Sequence, residues 1–398
     1  MNSLCAASPI GDRSFLRSKK IVFLVNNDWF FLSHRLPLAR AARDSGASVV
    51  IAGGDSGLGE FFRDEGFQFE PIHFSPSGTN ALRETGTFRA VFSFLKKTKP
   101  HLLHTISTKP ILYGSAVSRF FGSWPVVNAV CGLGYIFSPD RKASVLRKRL
   151  SLLYRAALGN PESVSIFQNP SDMEKMLSAG FLRPEQATLI RGAGVNCSVF
   201  SPTPFPEAPV VMFPSRMLWE KGVEEFVKAA HMVLPRFPGA RFVLMGASED
   251  DDPRAVSRRR IAGWLSSTPG LEWWGSQKYE AMPEILSRAS IVALPSGYPE
   301  GLPKCLLEAA ASGRPIIASD IPGCREIARQ GVNAILVPPR DASRLAEAVM
   351  EILSRPALME EFGREGRRIA CSEFAEEMIV SQTMAVYRKA LRCPGEQG

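Results

Sequence analysis

The chain has 398 residues, 45% of them hydrophobic and 22% charged, which describes a folded chain rather than a disordered one and one long enough for two cores. Its net charge of +9 is one-sided, because residues 1–204 hold 24 Lys and Arg against 14 Asp and Glu while the remainder is almost neutral; a basic half favours an anionic partner (nucleic acid, anionic lipid or a phosphorylated substrate) or serves solubility alone. Seven scattered cysteines with no CxxC pair argue against a disulfide framework or a structural zinc, and for a reducing cytoplasm.

Residues 1–18 lack a periodic pattern and are expected as a loose tail. The apolar run at 21–25 is broken at once by Asn26, Asn27 and Asp28. It is far short of the roughly 20 residues that cross a bilayer, so it reads as a buried strand and not a signal peptide. Further strands are predicted at 48–52, 69–72, 102–105, 126–130 and 165–168, with helices over 36–45, 58–65, 89–97 and 111–121. Such alternation indicates βα units around a parallel sheet. The Pro-rich stretch SPTPFPEAP at 201–209 marks a break. It separates a first domain over 19–200 from a second over 209–372, with 201–208 as linker.

The second half restarts the pattern. Strands are predicted at 210–213, 241–245, 271–273, 290–294, 315–318 and 334–337, and helices over 223–233, 253–265, 303–312, 342–353 and 374–391. The last helix, within 373–398, is expected to pack back across the domains. The fold class is therefore α/β, two doubly wound domains facing each other. In such sheets ligands bind beyond the carboxyl ends of the strands.

Two loops at such ends carry chemistry. After 210–213 comes Pro214-Ser215-Arg216-Met217-Leu218-Trp219-Glu220-Lys221-Gly222, leading into a helix. Arg216 and Lys221 sit beside the helix start, where free N–H groups and partial positive charge attract anions. The guanidinium offers a fork to two phosphate oxygens, and the ammonium a point charge. The alternative is a pair of solvated surface cations. After 290–294 comes Glu300-Gly301-Leu302-Pro303, with Glu308 inside the helix that follows. Gly301 permits close backbone approach, and Pro303 suits a first helical turn. Glu308 lies among Leu306, Leu307, Ala309 and Ala310, so it is expected to be buried and to need partners. The two carboxylates read as hydroxyl-binding acceptors at different depths.

Together these loops resemble the signature of retaining family-4 glycosyltransferases of the GT-B fold. The resemblance rests on Ser215-Arg216-Met217-Leu218 with Lys221-Gly222, Glu300-Gly301-Leu302-Pro303 with Glu308-Ala309, and Ala318-Ser319-Asp320-Ile321-Pro322-Gly323-Cys324-Arg325-Glu326. Gly331 and Leu336-Val337-Pro338-Pro339 follow. It covers nearly the whole chain from Lys20 onward. It implies that Arg216 and Lys221 hold a donor diphosphate, that Glu300 contacts the transferred sugar, and that Glu308 grips the nucleotide ribose. Backbone near Gly301, Leu302, Gly132 and Gly134 is implied to approach donor oxygens. No metal and no other cofactor is required by that scheme, and the acidic run Glu249-Asp250-Asp251-Asp252 reads as a solvated loop.

In the first domain, Asn26 to Leu38 stands where relatives often carry a glycine-rich loop. The variant looks like the bacterial branch that builds lipid-linked polysaccharide and glycan precursors. That implies a UDP-linked hexose or N-acetylhexosamine donor, a polyprenyl-diphosphate-linked acceptor, and a cytoplasmic enzyme peripheral on the inner membrane face. Arg35 reads either as a contact for an acceptor phosphate or as a helix-start cation. His104 reads as orienting an acceptor hydroxyl or as structural, and Lys109 as a phosphate contact. Cys131 occupies the place where some relatives have a histidine. Basic residues from Arg141 to Arg155, interleaved with Leu146, Leu150, Leu153, Tyr154 and Leu158, fit a helix lying on an anionic membrane, or an ordinary helix with a solvated basic face.

Three rival readings fit the residues less well. A GT-B epimerase is disfavoured by the Arg216, Lys221 and paired-glutamate set. An NAD-dependent oxidoreductase lacks a G-x-G-x-x-G turn with a distal acid. A nucleic-acid-binding protein would need a stacking motif or a binding module, and neither is present.

Overall fold

The computed structural model describes residues 13–75, 81–133, 151, 153–249 and 252–391. Gly134, Arg141 to Arg149, Asp250 and Asp251 lie outside the described residues.

Two parallel sheets organise the chain. The first contains β1 (Lys20–Asn27), β2 (Ser48–Gly54), β3 (Gln68–Pro71), β4 (Leu102–Ile106), β5 (Val126–Val130), β6 (Ser163–Phe167) and β7 (Ala187–Leu189). Their order is β3-β2-β1-β4-β5-β6-β7. The second contains β8 (Val210–Pro214), β9 (Arg241–Met245), β10 (Leu271–Trp273), β11 (Ile291–Leu294), β12 (Ile316–Ser319) and β13 (Ala334–Val337), ordered β10-β9-β8-β11-β12-β13. Strands such as Val126–Val130 and Val210–Pro214 are buried along their whole length, as sheets covered by helices on both faces require. The sequence thus folds into the α/β, doubly wound pair expected of it. β7 is an addition. Its three residues, none of them buried, give no hydrophobic run to read.

Strand order reverses between β1 and β4 in the first sheet and between β8 and β11 in the second. Crevices open at such switch points, beyond the strand ends. The loops after β1, β8 and β11 therefore become neighbours.

Three departures from expectation have physical causes. The expected tail is folded from Arg13, where a turn of 3-10 helix (Arg13–Leu16) buries Leu16 completely. The helix predicted over 36–45 begins at Asp28 and runs to Asp44 through Pro37. Asp28 is buried and accepts hydrogen bonds from Trp29 N (2.8 Å), Ser56 N (2.6 Å) and Ser56 Oγ (2.7 Å), so it fastens a helix start rather than a loop. The helix predicted over 253–265 is confined to Arg258–Ser267, with Ser257 accepting from Arg260 N at its start.

The chain passes between the domains twice. Val195 N donates to Phe374 O (2.9 Å) and Glu376 N to Val195 O (3.0 Å), pairing the two crossings. Helix Glu376–Leu391 then packs on helix Asp28–Asp44 and on β4, β5 and β6 of the first domain. It buries Ile379, Met384, Val386 and Tyr387, each contributing about 1.5–3 kcal/mol by removal from water.

Candidate active site

A cavity of about 930 Å³ lies at the reversal points, walled by both domains. Arg216, Lys221, Glu300, Gly301, Leu302 and Glu308 all line it. Residues separated by up to 92 positions in the sequence thus converge on one space, and the reason lies in the loops that carry them.

Lys221 is placed by Gly222. At φ +84, Gly222 adopts a left-handed backbone that caps helix Val223–Val233, and a Cβ there would stand 2.1 Å from Pro295 O. Only glycine allows the β8 loop to lie this close to the β11 loop. Lys221 Nζ consequently reaches Glu300 Oε1 at 2.5 Å, and Ser296 Oγ donates to the same oxygen at 2.8 Å. Both charged side chains are largely buried, and their pairing offsets the cost of taking each from water. Arg216 behaves differently. Among the described residues it forms no ion pair, and its guanidinium lies 6.0 Å from the Trp29 ring of the first domain.

Glu308 sits deeper. It is 4% exposed, in keeping with its apolar neighbours, and burial pushes its carboxyl up to about 7, partly offset by Lys304 and by a hydrogen bond from the Tyr279 hydroxyl. Lys304 Nζ approaches Glu308 Oε1 only to 4.0 Å, too far for a hydrogen bond, and donates instead to Gly194 O at 3.0 Å. Among the described residues Glu308 Oε1 has no hydrogen-bond donor. A buried acceptor without a donor costs about 1–3 kcal/mol, which a hydroxyl group entering the cavity would relieve.

The Glu300 loop is clamped by the first domain. Asn169 Nδ2 donates to Gly301 O (3.0 Å), and Leu302 N donates to Gln168 Oε1 (3.0 Å). A Cβ on Gly301 would meet Gln168 Oε1 at 2.3 Å and Cys131 O at 2.6 Å. Gly132, at φ +115, backs onto Gly301 N and Pro299 O. Two expectations change here. Gly132 is a point of close approach between the domains and does not line the large cavity. The Leu302 amide is engaged by Gln168 rather than directed at a donor oxygen.

The three residues expected to meet an acceptor are all elsewhere. His104 is fully buried, with Nδ1 2.6 Å from the Tyr387 hydroxyl and its ring stacked 5.3 Å from Phe23; burial holds it well below the usual histidine range. Lys109 is committed to Ser75 O (2.6 Å) and Glu84 Oε1 (2.7 Å). Arg35 is neither a helix-start cation nor a cavity residue, being buried within helix Asp28–Asp44 with Nη2 3.7 Å from Cys131 Sγ. The first-domain residues that do line the cavity include Trp29, Phe30, Ser33, His34 and Ser56, with Gln168 and Asn169 bracing the loop. Sequence spacing offered no signal for them except the aromatic run itself. Lys304 was findable, since it stands one helical turn before Glu308. Of the acidic run, Glu249 is exposed as expected, whereas Asp252 is buried and accepts from Arg254 Nε (3.0 Å) and Nη2 (2.7 Å).

Comparison with known proteins agrees with this geometry. Residues 199–369 match the family model "Glycosyl transferases group 1", and residues 20–164 match "Glycosyl transferase 4-like". The N,N'-diacetylbacillosaminyl-diphospho-undecaprenol alpha-1,3-N-acetylgalactosaminyltransferase of Campylobacter jejuni is 24% identical, over 91% of this chain and 98% of its own. The alpha-maltose-1-phosphate synthase of Mycobacterium tuberculosis is 30% identical over 73% of each chain. The Anabaena protein HepE, solved in complex with UDP-glucose, shares the fold with a TM-score of 0.75 at 18% identity, over 93% of this chain and all of its own. The chain belongs to the group 1 and 4-like glycosyltransferases of the GT-B fold, and is an enzyme of the glycosyl-transferring class.

Proposed function

We propose that the chain transfers a hexose or N-acetylhexosamine from a UDP-linked donor, with retention, to a polyprenyl-diphosphate-linked glycan precursor. The observation that carries this reading is the convergence of Arg216, Lys221, Glu300 and Glu308 on one cavity. Breaking the anomeric C–O bond places negative charge on the departing diphosphate and positive charge on the sugar. Arg216 and Lys221 supply cations for the first, and Glu300 a carboxylate beside the second. Glu308 Oε1 offers a buried acceptor for a ribose hydroxyl. Retention would follow a front-side displacement, and closure of the two domains around the donor would exclude water that otherwise hydrolyses it. No metal enters this scheme, so chelation with EDTA leaves the rate unchanged.

The lipid-linked acceptor is supported by the Campylobacter relative, whose name specifies a diphospho-undecaprenol substrate. We place the enzyme on the cytoplasmic membrane face. Among the described residues no helix is long and apolar enough to cross a membrane. Contact through the surface is favoured by the basic first half and by Phe120 and Phe121, 62% and 50% exposed beside Arg119. The test is incubation with a panel of nucleotide sugars and a polyprenyl-diphosphate sugar, following released nucleotide. Release that requires both substrates supports transfer. Conversion of the donor alone, with no acceptor needed, points to an epimerase and sinks the proposal.

A further inference from the structure

The second domain supplies every cation and carboxylate assigned above, so the acceptor side of the cavity needs its own residues. The first-domain wall is formed by Trp29, Phe30, Ser33 and His34 at the start of helix Asp28–Asp44. Trp29 is 42% exposed, and it stands across from Arg216. Phe30 is stacked on His34 with ring centroids 4.0 Å apart and planes 15° from parallel, while Trp29 meets Phe30 edge-on at 6.1 Å. The result is an aromatic shelf with one polar ring at its end.

The tautomer of that ring follows from its neighbours. Pro37 has no N–H for the Ser33 carbonyl one turn earlier. Ser33 Oγ lies 3.1 Å from Trp29 O and 3.3 Å from Phe30 O, both acceptors only, so its single proton is spent on a carbonyl. With that proton on a carbonyl, the hydroxyl accepts from His34 Nδ1, 2.7 Å away, and the Phe30 carbonyl also takes a hydrogen bond from the ring. This arrangement puts the ring proton on Nδ1 and leaves Nε2 its lone pair. Burial, Lys304 and Arg35 keep the ring neutral by holding it well below the usual histidine range.

We propose that the Trp29, Phe30 and His34 shelf is the acceptor subsite, taking the terminal pyranose of the acceptor glycan against its aromatic faces while His34 Nε2 accepts a hydrogen bond from a sugar hydroxyl. Pyranose C–H groups are weakly positive and suit the negative face of an indole, and the carbonyl-anchored imidazole fixes which way the hydroxyl points. The shelf lies beside the cation assigned to the leaving diphosphate, where an attacking hydroxyl has to be. This inference rests on the transferase reading, and it names the acceptor contacts that Arg35, His104 and Lys109 do not provide.

The test uses the full chain with Trp29→Ala, Trp29→Phe, His34→Ala and His34→Gln. Trp29 is exposed enough that its truncation hollows no core. Trp29→Ala should raise the acceptor KM about tenfold, a typical loss for a stacked ring, and leave donor KM and the calorimetric Kd for UDP unchanged. Trp29→Phe should keep most of the affinity. His34→Ala should lower acceptor kcat/KM, with part restored by His34→Gln, whose amide oxygen also accepts. Saturation-transfer NMR with methyl hexosides and methyl N-acetylhexosaminides as probes should show contact to the wild type that Trp29→Ala removes. Equal shifts in donor and acceptor constants would assign the shelf to the donor, and no shift in any constant would make it structural; either overturns the proposal. If the wild type binds no UDP, the donor reading falls instead, and the glycoside NMR still decides the shelf.

Discussion

Lys221 Nζ and Glu300 Oε1 are held 2.5 Å apart, so one wall of the cavity carries a neutralised pair where a diphosphate and a sugar would each compete for one member. On the proposed reading, donor binding splits that pair. Glu300→Gln should therefore free the ammonium, leaving the Kd for UDP equal or a few-fold tighter, while transfer falls by about 10²-fold or more. Lys221→Ala should weaken UDP binding and lower kcat/KM by roughly 10²–10³-fold. Calorimetry with UDP and steady-state kinetics on the same variants separate the two effects.

Glu308 gives a pH signature. Its carboxyl is raised by burial from an ordinary 4.5 to about 7. Below pH 4.5 folded and unfolded chains both hold the proton. Between 4.5 and 7 only the folded chain does, so this group's stabilising contribution is lost across that window. The total is on the order of 3 kcal/mol, levelling off above pH 7. Denaturant unfolding from pH 4.5 to 8 should show the decline, and Glu308→Gln should remove it. A ribose hydroxyl donates better to the ionised carboxylate, so affinity for UDP should rise through pH 7 in the wild type and stay flat in the variant.

Gly222→Ala tests how the two loops are brought together. The new Cβ would face Pro295 O at 2.1 Å on a backbone at φ +84. A clash with backbone, in a conformation hostile to alanine, should cost more than about 2 kcal/mol. A lower Tm together with weakened UDP binding is expected, since Lys221 precedes the glycine.

His104 and Tyr387 join the C-terminal helix to the first sheet. Tyr387→Phe leaves a buried imidazole nitrogen without its partner and should cost about 1–3 kcal/mol of stability. The acceptor KM should not change. Chemical unfolding and acceptor kinetics on this variant distinguish a structural histidine from one that meets substrate.

What could be read from the sequence depended on how far each feature reached. Every strand but β7, and the loops around Arg216 and Glu300, carry local signatures, so the loops' place at strand ends was legible. Helix Pro356–Glu373 was not, although Phe362, Ile369 and Ala370 stand at helical spacing on its buried face, because Gly363 and Gly366 interrupt that stripe and their purpose shows only in long-range packing. A Cβ on Gly363 would stand 2.3 Å from Gly313 O, and one on Gly366 lies 3.5 Å from Ala310 Cα. The aromatic shelf was hidden for a related reason. Asn26, Asn27 and Asp28 look like a break, and only the long-range bonds from Ser56 turn Asp28 into a helix start. His104 and Lys109 looked available because the groups that hold them, Tyr387 on His104 Nδ1 and Glu84 on Lys109, are 283 and 25 residues away.

The most direct measurement follows a labelled sugar. A ¹³C-labelled UDP-hexose or UDP-N-acetylhexosamine is incubated with a short-chain polyprenyl-diphosphate sugar, and the lipid product is weighed by mass spectrometry. The wild type should add one labelled residue, and Lys221→Ala and Glu300→Gln should add almost none. An unmodified lipid across every donor tried, or equal labelling by the variants, would contradict the account.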